Sequence, residues 1–220
     1  MLIYAVADIH ANPERIEHIR RTVSVHYPDV VVVAGDIISY LHPEKTFAQL
    51  NAMSLPVLMV RGNSDPGYIE KHFEKFSNLA SLHLNRVTVK SIAFTGLSGT
   101  IPLPFRNRVR FREKNLMKRV YPMIDSQTIV VVHPPPWGVL DQVMGRFHSG
   151  SKMVREIVEK TRPKLLICGH IHEAAGVKAI GRTTVVNCSM PATGRGVMIE
   201  LDQNLTVRCW QLSEKLDKQT

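Results

Sequence analysis

Three times in the first 76 residues a short, unbroken apolar run is followed by a helical pattern. LIYAVADIH precedes PERIEHIRRTV, DVVVVAGDII precedes PEKTFAQLNAM, and PVLMVRGNSD precedes YIEKHFEKF. Runs of this length without polar alternation read as strands covered on both faces, and strand-then-helix repetition makes their sheet parallel. The first helix carries its own start signal: Asn12 is a capping residue, Pro13 suits the first helical position, and Ile16, Ile19 and Val23 share one face.

The second half is richer in strand. RVTVKSIAFTGLSG (86–99) predicts a strand pair, 107–119 a helix, and QTIVVVHPPP (127–136) a buried strand ending in prolines. A helix at SKMVREIVEKT is followed by strands at LLICGHIH, TTVVNCS, GVMIEL and LTVRCWQL. No repeat, linker or low-complexity tract interrupts the chain, so residues 1–220 are expected to form one α/β domain. Its two halves are expected to pack as two sheets of one sandwich, with helices outside.

Composition excludes several classes. The 44% hydrophobic content is ordinary for a globular chain, and no apolar run approaches the ~18 residues of a membrane span. The N-terminus lacks a basic lead and a cleavage site, so it predicts a first strand and a cytoplasmic protein with no membrane partner. Cys168, Cys188 and Cys209 lie in apolar segments without a C-x-x-C pair and read as buried free thiols. A formal net charge of +9 favours phosphorylated partners without identifying one.

The polar residues that close the strands carry the chemistry. Asp8 and His10 end the first, Gly35-Asp36 the second, Gly62-Asn63 the third, His133 a later one, and Gly169-His170 with His172 another. Parallel strands gather their carboxyl ends on one side of a sheet, where sites are built. Any one of these short patterns alone is more often a turn or a satisfied core residue. Together they supply two carboxylates, four imidazoles and an amide oxygen, a mixed nitrogen and oxygen set suited to two divalent ions such as Mn, Fe, Zn, Ni or Co. With neutral histidines, Asp8, Asp36 and a hydroxide leave residual positive charge that suits a phosphate.

The series D-x-H (Asp8, His10), G-D (Gly35, Asp36), G-N-x-D (Gly62, Asn63, Asp65), H (His133) and G-H-x-H (Gly169, His170, His172) resembles the calcineurin-like metallophosphoesterase superfamily. The resemblance implies a four-layer α/β/β/α sandwich of two mixed sheets. It implies that Asp8, His10, Asp36 and His172 hold one metal while Asp36, Asn63, His133 and His170 hold the other, with Asp36 bridging. It further implies hydrolysis of phosphate esters by direct attack of a metal-bridging hydroxide.

One position departs from that pattern. Where the family most often has G-N-H-D or G-N-H-E, this chain has Ser64, and a serine hydroxyl is a very poor proton donor at pH 7. A general acid is worth ~10²–10⁴-fold, so turnover of aryl diesters is expected to exceed that of alkyl esters unless another acid serves. His148, in GRFHSGSK, is the candidate replacement, with nearby amides as a phosphate cradle; the plainer reading is a loop histidine with Ser149 or Ser151 as a helix cap. Asn63 and His148 are the expected substrate contacts.

Arg106, Arg108, Arg110 and Arg112, near Lys114, Lys118 and Arg119, read as a solvated face or as a phosphate-binding stretch. Trp137 reads as loop packing or as a rim for an aromatic group. The favoured function is a metal-dependent phosphodiesterase acting on small or nucleotide-derived diesters. The alternatives are a nuclease or phosphomonoesterase with the same metal site, or a non-catalytic scaffold. Nucleic acid as a partner and a homodimer both stay open.

Overall fold

A computed structural model describes residues 1–38, 43–73, 75–99 and 115–212. The first sheet begins with three parallel strands, β1 (Leu2–Val6), β2 (Val30–Ala34) and β3 (Val57–Val60). Helices α1 (Pro13–His26) and α2 (Pro43–Asn51) follow the first two, and the short α3 (Glu70–Phe73) leads to β4 (Leu79–Ser81). The predicted cap is formed: Asn12 Oδ1 accepts from Arg15 N at 3.0 Å, and α1 buries Ile16 and Ile19.

The second sheet holds β5 (Arg86–Val89), β6 (Ile92–Leu97), β7 (Ile129–Val132), β10 (Leu165–Cys168), β11 (Gly176–Ile180) and β12 (Thr183–Asn187). A helix over 115–120, α4, precedes β7. A small hairpin, β8 (Gln142–Val143) and β9 (Phe147–His148), precedes α5 (Lys152–Thr161). The order of this sheet is β11-β12-β10-β7-β6-β5, with β6, β7, β10 and β12 parallel and both edge strands antiparallel to them.

One expectation is corrected. The two halves of the chain do not form one sheet each, because β13 (Val197–Leu201) returns to pair antiparallel with β1, and β14 (Val207–Gln211) continues outward from it. The first sheet is therefore β14-β13-β1-β2-β3-β4. The free edge of β1 offered unpaired backbone groups beside an apolar surface, and VMIEL satisfies both.

Three apolar clusters define four layers. Ile3, Ala5, Val32, Val60, Phe94, Val131, Ile167 and Val186 meet between the sheets. Tyr4, Val31, Val33, Ile19 and Phe47 seal the first sheet against α1 and α2, while Val130, Leu166, Val154 and Ile157 seal the second against α5. Burying each large aliphatic side chain contributes roughly 1.5–3 kcal/mol, so alternate residues of one strand hold both a sheet and a helix layer in place. Arg106, Arg108, Arg110, Arg112 and Lys114 lie outside the described residues, as does 107–114 of the predicted helix, and its remainder, 115–119, is helical. No helix among the described residues is long and apolar enough to cross a membrane. No disulfide occurs among them: Cys168 and Cys188 are buried thiols, and Cys209 is half-buried.

Candidate metal centre

The sandwich places the ends of β1, β2, β3, β7 and β10 at one place. Backbone bonds join the two sheets' ends separately: Asp8 N donates to Gly35 O at 3.0 Å, His10 N to Asp36 O at 2.9 Å, and Gly169 N to His133 O at 2.9 Å. Bonds between the sheets then register them. His133 Nδ1 lies 2.8 Å from Ala34 O, and His170 N donates to Asp8 Oδ2 at 3.0 Å.

Asp8 is fully buried, and its two carboxylate oxygens have different surroundings. Oδ2 accepts from His170 N and from the Ser189 hydroxyl. Oδ1 is buried without any hydrogen-bond partner, 3.5 Å from His172 Nε2 and 3.9 Å from His133 Nε2. Leaving a carboxylate oxygen in that condition costs free energy of order 1–3 kcal/mol or more unless something else satisfies it. Asp36 is nearly as buried. Its Oδ1 accepts from Ser64 N at 2.9 Å and lies 3.6 Å from His133 Nε2, while Oδ2 lies 3.8 Å from His10 Nε2. These separations are too long for hydrogen bonds and suit donors that share an ion.

His133 supplies a second test of fit. Its Nδ1 faces a carbonyl and must donate to it, which leaves Nε2 as the nitrogen directed at the site. Nε2 lies 3.0 Å from Asn63 Oδ1. The two atoms are close enough for one cation to take both as donors. Two groups of donors converge closely enough to hold an ion, Asp8 with His10 and His172, and Asp8 with Asp36 and His133. His170 is in neither group, but its ring packs 4.9 Å from that of His133.

Four of these residues have left-handed backbone: Asp8 at φ 59°, His10 at 52°, Asp36 at 52° and His170 at 70°. Such conformations cost ~1 kcal/mol or more each for a residue with a Cβ, and persist at sites where surrounding bonds over-determine them. The glycines before Asp36, Asn63 and His170 have a steric reason. A Cβ on Gly35 would meet the His133 ring, one on Gly62 would meet the Asp36 carboxylate, and one on Gly169 would meet Ala7 and Asp8.

The electrostatics keep these groups in ligand-ready forms. Burial raises the Asp8 pKa, but the neighbouring His172 and His133 imidazoles and the Ser189 hydroxyl outweigh it and hold the carboxyl below its usual range. Burial, aided by His133, pushes His170 down to about 4, so its ring is neutral at pH 7. His172 is raised, chiefly by its interaction with Asp8.

Asp65 has a role that its place in the motif did not reveal. Its buried carboxylate accepts from Gly62 N at 2.8 Å, Ile37 N at 3.0 Å and Ile38 N at 3.1 Å. It clamps the turn after β2 to the turn after β3, and so sets Asp36 beside Asn63. Burial raises its pKa, more than the three amides lower it. Ser64 holds Asp36 through its backbone, and its hydroxyl is buried without a partner. That hydroxyl is not presented to a substrate.

Three supporting residues escaped the sequence reading. Ser189 donates to Asp8; its own N–H donates to Asn187 Oδ1, and Asn187 Nδ2 donates to Ile171 O between the two C-terminal histidines. Arg15 Nη1 donates to the Asp8 carbonyl at 2.9 Å. Nothing in their local sequence marks them, since only the packing of β12 and α1 against the β1 end gives them these partners. Ser189→Ala is expected to weaken divalent-ion binding about 10–100-fold, the usual effect of removing a group that orients a ligand, as read by calorimetric titration with Mn. Unchanged affinity would show that the hydroxyl does not orient Asp8.

His148 stands on β9, with Nδ1 2.8 Å from Asp141 Oδ1, and its ring lies 5.5 Å from that of Trp137. The expected phosphate cradle around it is not formed. Ser149 N and Gly150 N donate to Asp141, and Ser151 N donates to Pro135 O. Ser151 is the helix cap, accepting from Val154 N.

A buried, histidine-lined pair of carboxylates at the joined ends of two sheets is an arrangement suited to holding divalent metal. Residues 1–195 match the family model of the calcineurin-like phosphoesterase superfamily domain, and the chain belongs to that family. It is 27% identical over 201 residues to the uncharacterized protein MJ1162 of Methanocaldococcus jannaschii, across 86% of this chain and 88% of that one. The crystal structure of TT1561 of Thermus thermophilus has the same fold, with a TM-score of 0.74 and 16% identity over 96% of this chain and 98% of that one. A structure described as a novel archaeal phosphodiesterase is similar at a TM-score of 0.57 and 13% identity, over 96% of this chain and all of that one.

Proposed function

We propose that the protein is a phosphodiesterase that works with two divalent ions, one held by Asp8, His10, Asp36 and His172 and the other by Asp36, Asn63, His133 and His170. The observation that carries this reading is the buried, partnerless Asp8 Oδ1 facing two imidazole nitrogens. Bound ions would neutralise phosphate charge and lower the pKa of water toward 7.

The chain's own residues do the rest. Ala34 fixes the tautomer of His133, Ser189 and the His170 amide fix one face of Asp8, and Asp65 fixes the turn that carries Asn63. Asn63 is exposed, and with its oxygen toward His133 its amide N–H groups are left for a phosphate oxygen. Ser64 offers no proton to a leaving group, which disfavours monoesters of alkyl alcohols and assigns the acid to His148.

The test is hydrolysis of bis(p-nitrophenyl) phosphate beside p-nitrophenyl phosphate, by metal-stripped protein with Mn, Ni, Co, Zn or Mg restored. Metal-dependent turnover of the diester above that of the monoester is expected. No metal-dependent turnover of either ester would replace this reading with a scaffold role.

A further inference from the structure

After His133 the chain runs through Pro134, Pro135 and Pro136 to Trp137 and into the β8–β9 hairpin. Asp141, at the base of that hairpin, is 1% exposed. Its Oδ2 accepts from Gly138 N at 2.9 Å and Gly150 N at 3.1 Å, which closes the loop without help from any other side chain. Its Oδ1 is directed to His148 Nδ1 at 2.8 Å, although the His148 side chain is 38% exposed. The hairpin therefore does not need the imidazole to fold, while the imidazole is held in one orientation by a buried carboxylate. Trp137 flanks the ring, and Lys152 Nζ lies 4.9 Å from the indole.

This pair opens onto a cleft of about 320 Å³ between the hairpin and residues 173–178. Gln142, Glu173, Lys178, His148 and Asp141 line it with polar groups. Met144 N, near Glu173 Oε2 at 3.4 Å, ties the hairpin to the turn that begins at His172. Glu173, in the wall of the cleft, directly follows His172 of the proposed metal centre in the chain. The cleft's volume suits a ligand group of nucleoside size, and its walls would lose solvation without return against a plain hydrocarbon or aryl group.

Resting on the reading above, we propose that this cleft seats the leaving alcohol of the diester, a hydroxylated aliphatic alcohol of nucleoside size, and that His148, positioned by Asp141, protonates its departing oxygen. With Nδ1 donating to Asp141, the proton is given from Nε2. Water supplies the oxygen that replaces the alcohol on phosphorus. The bond from phosphorus to the ester oxygen breaks with its electron pair on that oxygen, which takes the His148 proton. The neutral ring recovers a proton from solvent, and the proton lost by water passes to solvent. The products are a phosphomonoester and the free alcohol.

The test uses two diesters that retain a thymidine and differ in what leaves. p-Nitrophenyl 5′-thymidylate releases a phenolate that needs no proton, and thymidylyl-(3′→5′)-thymidine releases a nucleoside that does. Asp141→Asn keeps an acceptor for Gly138 and Gly150 but turns an amide N–H toward His148 Nδ1. In the metal-loaded protein this variant and His148→Ala are expected to lower the ratio of dinucleotide to aryl-ester kcat about 100-fold. The melting temperature of Asp141→Asn should match that of the native chain. An unchanged ratio, equal losses on both esters, or a native protein that cleaves only the aryl ester would overturn the inference alone. Cleavage of neither ester by the native protein would overturn the proposed function, and this assignment with it.

Discussion

Asp36→Asn is expected to lower metal-dependent turnover at least about 10³-fold while leaving the metal-free protein as stable as the native one, or more so. The reason lies in what the site costs before an ion enters. One carboxylate oxygen of Asp8 and one of Asp36 lie within 4.8 Å of each other, and two ionised carboxylates at that distance repel by about 3 kcal/mol at an effective dielectric of about 20. The surrounding imidazoles offset part of this. An asparagine keeps an oxygen for the Ser64 amide and removes the repulsion, but it also removes the charge shared by both proposed ion sites.

Thermal melts with and without metal separate these effects. An ion at about 100 times its Kd adds about 2.7 kcal/mol of stability to the native protein, which at this chain length raises Tm by about 5–10 °C. The variant should show little of that rise. An equal rise in both proteins would mean that Asp36 is not a ligand, and an unfolded metal-free variant would mean that its carboxylate is structural. The trade between site and stability is the expected one for a buried constellation of like charges.

Gly62→Ala should damage fold and site together. A Cβ at this position would fall within bonding-like distance of the Asp36 carboxylate and would also crowd the Asp36 amide nitrogen. Neither can withdraw easily, because Asp65 pins Gly62 N and Ile37 N to one carboxylate. The substitution is expected to cost about 3 kcal/mol, or about 6–12 °C in Tm, and to abolish metal binding together with turnover. Gly67, five residues on, is the control: its Cβ would meet nothing within 4 Å, and Gly67→Ala should stay within about 0.5 kcal/mol of the native chain. Equal melting temperatures for the two variants would show that the Gly62 contact is relieved by a small shift.

The candidate site was legible in the sequence to the extent that strand ends are. Apolar runs such as VVVVA and LLIC report strands covered on both faces, and the residue types that follow them must lie at sheet ends whatever the connectivity. That is why Asp8, His10, Asp36, Asn63, His133, His170 and His172 can be named together from the strand ends alone. The glycines that precede Asp36, Asn63 and His170 were also visible, and their reason is the steric one that the packed site supplies.

Partner choice was not legible, because it depends on edges and neighbours that no local pattern encodes. VMIEL and VRCWQ read as strands but not as partners of β1, and only the unpaired edge of β1 placed them in the first sheet. Ser189, Asn187 and Arg15 are ordinary polar residues until β12 and α1 bring them to Asp8. Asp141 and His148 stand seven residues apart, a spacing with no meaning until a hairpin folds them together. The layers and the donor atoms follow from residue types alone, since hydrophobic burial depends on what each side chain is. Which oxygen of each carboxylate is spent on the protein and which faces the site is set only in the packed chain, since hydrogen-bond satisfaction depends on what lies within about 3 Å.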